Sequence, residues 1–242
     1  MVIDRVYKIS AFGNFSDITP DTETMMFLLN EFKEDGLIPS MVQEVAVSNV
    51  TPAIPKATTN RIALLSSDAQ EQAIVGTNRI DYAITLNGEE KITSEKLEYI
   101  NKRINKFFRV IFGKYDRKAN RLALNTESLI INLTSQEIDA FISKYKNPIS
   151  IYGERLDEWN VHLMVKKEIL MGENEAINVI SDIAKSQITK TVGEKNEVFD
   201  GFVVQTDINT IAENSLYRFS HQSVEIFIQK VNELWNLVMN EM

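Results

Sequence analysis

The sequence predicts an α+β protein of two similar halves, each running strand, helix, four-strand antiparallel meander and long helix, with the helices packed on one face of the sheet. Three observations predict it. The first is a pair of long amphipathic stretches, Thr93 to Ile111 and Ser220 to Met239. Displaced by 127 positions, Leu97, Ile100, Ile104, Phe107, Phe108 and Ile111 fall on Val224, Phe227, Val231, Leu234, Trp235 and Val238. Both sets recur at i, i+3, i+4, i+7, the period of one buried helical face. Glu98 and Asn105 fall on Glu225 and Asn232 under the same shift. The second observation is an earlier pair of short helical patterns: Met25, Leu28, Leu29 and Phe32 are followed 113 positions later by Ile138, Phe141, Ile142 and Tyr145. The third is a succession of strand-like runs between the helices of each pair, separated by turn residues. The halves divide at 1–113 and 114–242, and the two offsets imply a second meander about 14 residues longer than the first.

In chain order, Val2 to Phe15 reads as a first strand, with Val2, Val6, Ile9 and Phe12 among polar neighbours. Pro20 and Asp21 open the first helix, with Thr19 or Asp21 as its N-cap, and Gly36 closes it. Four strands follow: Met41 to Ser48, Arg61 to Ser67, Glu71 to Val75 and Arg79 to Leu86. Pro52, Pro55 and Asn60 break the chain after the first, Ser67-Asp68 after the second, and Gly76-Thr77-Asn78 after the third. Asn87-Gly88 ends the last, and the helix from Thr93 begins.

Lys114 to Asn120 joins the halves. Arg121 to Leu133 is the next strand, with an interruption near Thr126. Thr134-Ser135-Gln136-Glu137 forms a capping box, in which the threonine hydroxyl accepts from the third backbone N–H while the glutamate reaches back. Strands follow at Pro148 to Tyr152, Asn160 to Leu170, somewhere in Ala176 to Thr191, and Val198 to Ile208. Ile177, Val179, Ser181 and Ile183 alternate as a strand should, although the stretch is weakly helical too. Gly172, Gly193 and Gly201 punctuate these strands.

Composition narrows the classes of function. At 242 residues and 44% hydrophobic content, the chain can bury one large core or two joined ones. The absence of cysteine excludes disulfides, thiolate zinc sites and a cysteine nucleophile. No apolar run has the length of a signal peptide or a membrane span, so a soluble cytoplasmic protein without a membrane partner is expected. The net charge of −8 argues against the uniformly basic surface of a general nucleic-acid binder. Its distribution is uneven: residues 102 to 121 hold eight basic residues against Asp116 alone, which leaves about −15 on the rest.

That basic segment is the sharpest candidate site. Lys102, Arg103, Lys106 and Arg109 are expected opposite the apolar stripe of the Thr93 helix, with Lys114, Arg117 and Lys118 extending the charge past its end. The functional reading is a site for phosphate, RNA backbone or an acidic partner. The structural reading is a solvated face with cations favoured near a helix C-terminus. At the equivalent positions of the last helix stand Gln229, Lys230, Glu233 and Asn236, so the fold does not demand a basic face there.

The remaining candidates are weaker. His162 on a strand and His221 at the start of the last helix are the only histidines, and Asp157, Glu158 and Asp207 are their candidate acid/base partners. A structural role is the preferred reading for both. Glu154, Asp157 and Glu158, with Arg155 between them, carry oxygen ligands for a hard cation but lack the spacing and glycine of a calcium loop. Gln205, Asp207 and Asn209 line one side of a strand, with the exposed side of an edge strand the preferred reading over pocket lining. Gly76-Thr77-Asn78-Arg79 is a turn without the features of a phosphate loop, and no serine stands in a nucleophile elbow.

The order strand, helix, four strands, helix, given twice, resembles the duplicated core of the TATA-box-binding protein family. That family carries DNA-wedging aromatics and basic residues on its concave sheet face. The corresponding strands here carry Glu44, Glu71, Asp81, Glu168, Asp182 and Asp207 as readily as basic residues, so DNA binding does not carry over. Phe202 to Asn209 followed by the helix through Trp235, together with Arg61 to Asp68, is similar to a sporadically distributed family of uncharacterised bacterial proteins of similar length. That resemblance implies length, architecture and a bacterial source, and its sporadic distribution suits phage defence or a toxin's partner. The expectation is a binding or assembly protein without catalysis or cofactor, engaging a protein partner through a sheet face or the basic helix. The alternatives are nucleic-acid binding through the basic helix and a hydrolase-type enzyme with dispersed carboxylates. A homo-oligomer is compatible with either binding reading.

Overall fold

The computed structural model describes residues 1–45, 58–86, 91–145, 150–151, 154–155, 159–192 and 195–242. Its centre is the antiparallel pair β1 (Val2–Phe12) and β6 (Arg121–Ile130), in register from Phe12 opposite Arg121 to Val2 opposite Ile130, with one bulge near Arg5. From β1 the sheet runs outward through β5 (Arg79–Thr85), β4 (Glu71–Val75), β3 (Thr58–Ser66) and β2 (Leu37–Val45). From β6 it runs through β11 (Lys195–Thr210), β10 (Asn174–Val192) and β9 (Trp159–Leu170). All neighbours are antiparallel, so one nine-stranded sheet crosses the molecule. The mixed α+β class is therefore correct.

Four α-helices, α1 (Thr22–Phe32), α2 (Ser94–Tyr115), α3 (Ser135–Tyr145) and α4 (His221–Glu241), contribute to one core with one face of this sheet. Alternation explains which face. Tyr7, Ile9 and Ala11 of β1 and Leu122 and Leu124 of β6 point to the helices and are buried. The residues between them point the other way. Helices α2 and α4 pack against each other across the central pair. Their seam holds a polar link: Tyr7, fully buried, donates its hydroxyl to Asn232 Oδ1 at 2.8 Å, and Asn232 Nδ2 donates to Asn101 Oδ1 at 3.2 Å. Burial pushes the Tyr7 phenol up, so it stays a donor.

Each helix start has a local cause. Asp21, the N-cap of α1, accepts from Thr24 N at 2.8 Å, which settles the choice left open against Thr19. Thr93 and Ser220 cap α2 and α4 in the same way. The capping box forms before α3, where Thr134 N donates to Glu137 Oε2 at 2.7 Å and Glu137 N to Thr134 Oγ1 at 3.3 Å. Helix α1 ends in a short 3-10 turn, Lys33–Asp35, and Gly36 at φ 75° takes the left-handed position that closes it.

Several expectations need correction. Strand β2 begins at Leu37, directly after the Gly36 turn, and the segment 46–57, with Pro52 and Pro55, lies outside the described residues, as does Asn87-Gly88. Strand β6 runs unbroken through Thr126, because that residue pairs with Tyr7 on one side and Thr206 on the other. Strand β10 is a strand throughout: pairing with two neighbours overrides its weak helical period. The second meander supplies three strands to the main sheet, β9, β10 and β11, where four were expected. Of the run Pro148 to Tyr152, the described part is β7 (Ser150–Ile151), which pairs with β8 (Glu154–Arg155) in a separate two-stranded sheet.

Beyond Lys185 opposite Trp159 and Phe202 opposite Ile130, β10 and β11 pair, among the described residues, only with each other and form a two-stranded arm. Its root turns over the face of the sheet away from the helices. There Ile188, Phe199 and Val203 pack on Ile3, Leu129 and Ile131, a small second core. Gly201 allows the turn, since a Cβ there would lie 2.6 Å from Ile130 O.

Candidate functional site

Helix α2 carries the predicted basic segment, and its side chains divide into two groups. Arg103 is not on the solvated face. It lies in the buried stripe with Ile100, Ile104 and Phe107, at 9% exposure. It reaches over the end of β4, where Nε and Nη2 donate to the two Glu71 carboxylate oxygens at 2.8 and 2.7 Å. Nη1 stands 2.7 Å from Asp35 Oδ1, and Nη2 also donates to the Asp35 carbonyl at 2.6 Å. Burial works against the charge of Arg103, and Glu71 more than offsets it, so the guanidinium is held protonated. The Tyr82 hydroxyl donates to the same carboxylate. Burial first, and then the charge of Glu71, push the Tyr82 phenol up. This is a structural knot tying α2 to β4, β5 and the turn after α1.

Three more of the seven cations are engaged by α1, the loop before it or the turn after it. Lys106 pairs with Asp35 and donates to the Glu31 carbonyl at 3.0 Å. Lys114 stands 3.5 Å from Glu23, and Arg117 pairs with Asp17. Lys102, Arg109 and Lys118 are exposed and form no ion pair among the described residues. Sequence periodicity placed the helix and missed the acids, because Asp17, Glu23 and Asp35 come from a segment about 70 to 100 residues earlier in the chain.

The face of the sheet opposite the helices is the second candidate. Lys8, Asn125, Glu127, Gln205, Asp207 and Asp182 line a shallow depression of about 320 Å³ across β1, β6, β11 and β10. Gln205 and Asp207 are thus brought together with residues of three other strands, and the preferred reading of that pattern, the exposed side of an edge strand, is corrected, because β11 pairs with β6 on one side and β10 on the other. Gln205 Nε2 donates to Glu127 Oε2 at 3.1 Å. Asp207 Oδ1 is buried without a hydrogen-bond partner among the described residues. Asn209 sits one pair further along, accepting from Asn178 Nδ2 at 3.2 Å. With three carboxylates against Lys8, the depression repels a polyanion.

Toward one end of the same face the character changes. Arg79, Phe12 and Arg121 stand directly opposite one another on β5, β1 and β6. The guanidinium carbons lie 5.8 and 4.9 Å from the ring centroid, so the phenyl is held between two cations. Close by, Arg61, at 3% exposure, donates to Glu44 Oε2 at 3.1 Å and to the Ser16 carbonyl at 3.0 Å. Burial pushes the Glu44 carboxyl up, but hydrogen bonds from Thr77 and Arg61 outweigh it and hold it below the usual range. The Gly76 to Arg79 turn serves this network and remains a structural turn.

The other candidates separate. His162 Nδ1 lies 2.7 Å from Asp182 Oδ1, both more than half exposed on β9 and β10. A pair so open to water lacks the exclusion and orientation of a catalytic dyad. His221 is the first residue of α4, next to its Ser220 cap. Asp157 and Glu158 lie outside the described residues, and of Glu154 only the backbone pairing is described. Among the described residues, no group of three His, Cys, Asp or Glu is placed to hold a metal ion, and no helix is long and apolar enough to cross a membrane. No protein-family model, curated protein or solved structure matches the chain.

Proposed function

We propose that the protein is a non-catalytic binding or assembly component that engages a protein partner through the sheet face opposite its helices. The observation that carries this reading is the one-sided architecture. The four helices share a single core with one face, while the other, among the described residues, is covered at the root of the β10–β11 arm and carries a polar depression at its centre. Its central depression is acidic, so the partner surface it suits is basic.

The finer reading of the fold, two copies of one unit, belongs to the same proposal. It is supported by strand order: β3-β4-β5-β1 and β9-β10-β11-β6 both run inward to the central pair, and each is completed by a long helix on the same face.

Nucleic-acid binding through α2 is the second reading, favoured by the exposure of Lys102, Arg109 and Lys118. It is weakened because the other four cations already hold acids of this chain. The test uses three baits in nuclease-treated and untreated lysate: the native chain, Glu127→Lys/Asp182→Lys/Asp207→Lys, and Lys102→Glu/Arg109→Glu/Lys118→Glu. Arg103 is left alone because reversing it would unfold the knot. The proposal expects the same protein on the native and α2 baits in both lysates, with at least about a tenfold loss on the sheet-face bait. Nucleic acid captured only without nuclease, and lost with the α2 bait, would establish the second reading in its place.

A further inference from the structure

We infer that β9 is the seam of a twofold-symmetric homodimer, pairing edge to edge with β9 of a second copy. The two ends of the sheet are built differently. At one end β2 carries Pro39 within the strand, a residue that interrupts further pairing, and Glu44 near its end. At the other, β9 is twelve residues long, contains neither proline nor glycine, and keeps unbroken register with β10 from Trp159 to Leu170. Among the described residues nothing pairs with its outer edge, although β3, which occupies the corresponding place after β4 and β5, is covered by β2.

The side chains of β9 are exposed on both faces of the sheet. Leu163 is 41% exposed and Val165 55% on the helix side, beyond the reach of the helices, and Met164 is 48% exposed on the opposite side. Three consecutive apolar residues on a free edge leave backbone donors, acceptors and apolar surface all in water. Natural sheets avoid that arrangement unless the edge is covered by a partner.

The strand itself points to a second copy as the occupant. A twofold axis perpendicular to the sheet keeps the faces matched and sets residues opposite one another around a central residue. Centred on Val165, it pairs Val165 with itself, Val161 with Ile169 and Asn160 with Leu170, and it sets Glu168 opposite His162. Centred on Met164, it sets Lys166 opposite His162; centred on Lys166, it sets like charges face to face. The Val165 and Met164 registers each use eleven of the twelve residues, and the Val165 register is the one that places the strand's only acid opposite its histidine. The seam continues the sheet of one copy into the next, independently of the sheet-face reading above.

The absence of cysteine makes the test direct. Residues directly opposite in an antiparallel pair lie about 4.5–5.5 Å apart at Cα, within disulfide range. The native chain is expected to scatter light as twice its 27.6 kDa mass at about 50 μM, a concentration well above a micromolar dissociation constant. The Val165→Cys variant is expected to give a covalent dimer on mild oxidation, and Met41→Cys, at 64% exposure on β2, to remain a monomer on a non-reducing gel. Val165→Lys places like charges across the axis and is expected to weaken the dimer at least about tenfold with an unchanged far-UV spectrum. A monomeric native chain would overturn the inference and leave the sheet-face reading untouched. So would a dimer that cross-links through Met41→Cys and not through Val165→Cys.

Discussion

Arg103 shows what one residue does when its helix is turned toward a neighbour. The sequence places it in a basic run, between Lys102 and Lys106, where a cation reads as solvated. In the fold it occupies the buried stripe and answers two carboxylates, Glu71 and Asp35, plus a backbone carbonyl. Truncating it leaves both acids partly buried without their cation, which costs far more than losing an exposed charge. Arg103→Ala is therefore expected to destabilise the protein by about 3 kcal/mol, measured by urea denaturation. Lys102→Ala, one residue away and exposed, is expected to stay within about 0.5 kcal/mol. Equal small losses at both positions would mean that the ion-pair knot contributes little. The partners of Arg103 were not legible because pairing across the fold leaves no local mark. The hydrophobic period that placed the helix was correct, but its stripe is wide enough to admit a long polar side chain.

At the scale of elements, legibility followed the range of the interactions. The Thr134 capping box was readable, because it acts on an N–H three residues away, whereas Asp21 stood open against Thr19, and Thr93 and Ser220 were marked only as helix starts. Strands β4 and β5 were placed within a residue of their bounds because a turn with clear chemistry separates them. The β10–β11 arm was not foreseen: its strands alternate like any others, and its departure from the sheet is decided by where β9 and β6 stop pairing. Gly201, at its root, was read as punctuation, while its part in the fold is steric. Gly201→Ala would bring a Cβ to 2.6 Å from Ile130 O and 2.9 Å from Ile188 Cδ1. Backbone cannot yield as a flexible side chain can, so a loss of about 2 kcal/mol is expected, with faster amide exchange at Phe199. Gly113→Ala supplies the contrast. It lies inside α2 with open space around it, and a gain of up to about 1 kcal/mol is expected there. A neutral Gly201→Ala would mean that the arm's root is looser than its contacts imply.

For the whole molecule, the question is whether halves that the sequence separates behave as separate units. Three features join them. The central strands β1 and β6 pair along their length, α2 packs on α4, and Tyr7 of β1 reaches Asn232 of α4 through a buried hydrogen bond. The main core draws residues from every helix and does not divide at the junction near Asn120. Periodicity could not reveal this, because it describes each half's apolar faces without saying which surfaces meet. Separating the halves would expose the edges of two central strands and break the α2–α4 seam, so unfolding one half removes the support of the other. A single cooperative transition is therefore expected. The tryptophans make it measurable: Trp159 on β9 and Trp235 on α4 are the only two in the chain, both buried and both in the second half. Their fluorescence follows that half alone, while the far-UV signal follows helices and strands of both. Coincident urea midpoints from the two signals are the expected result. A fluorescence midpoint displaced from the far-UV midpoint would show that the central β1–β6 pair is a boundary between two units and not the spine of one.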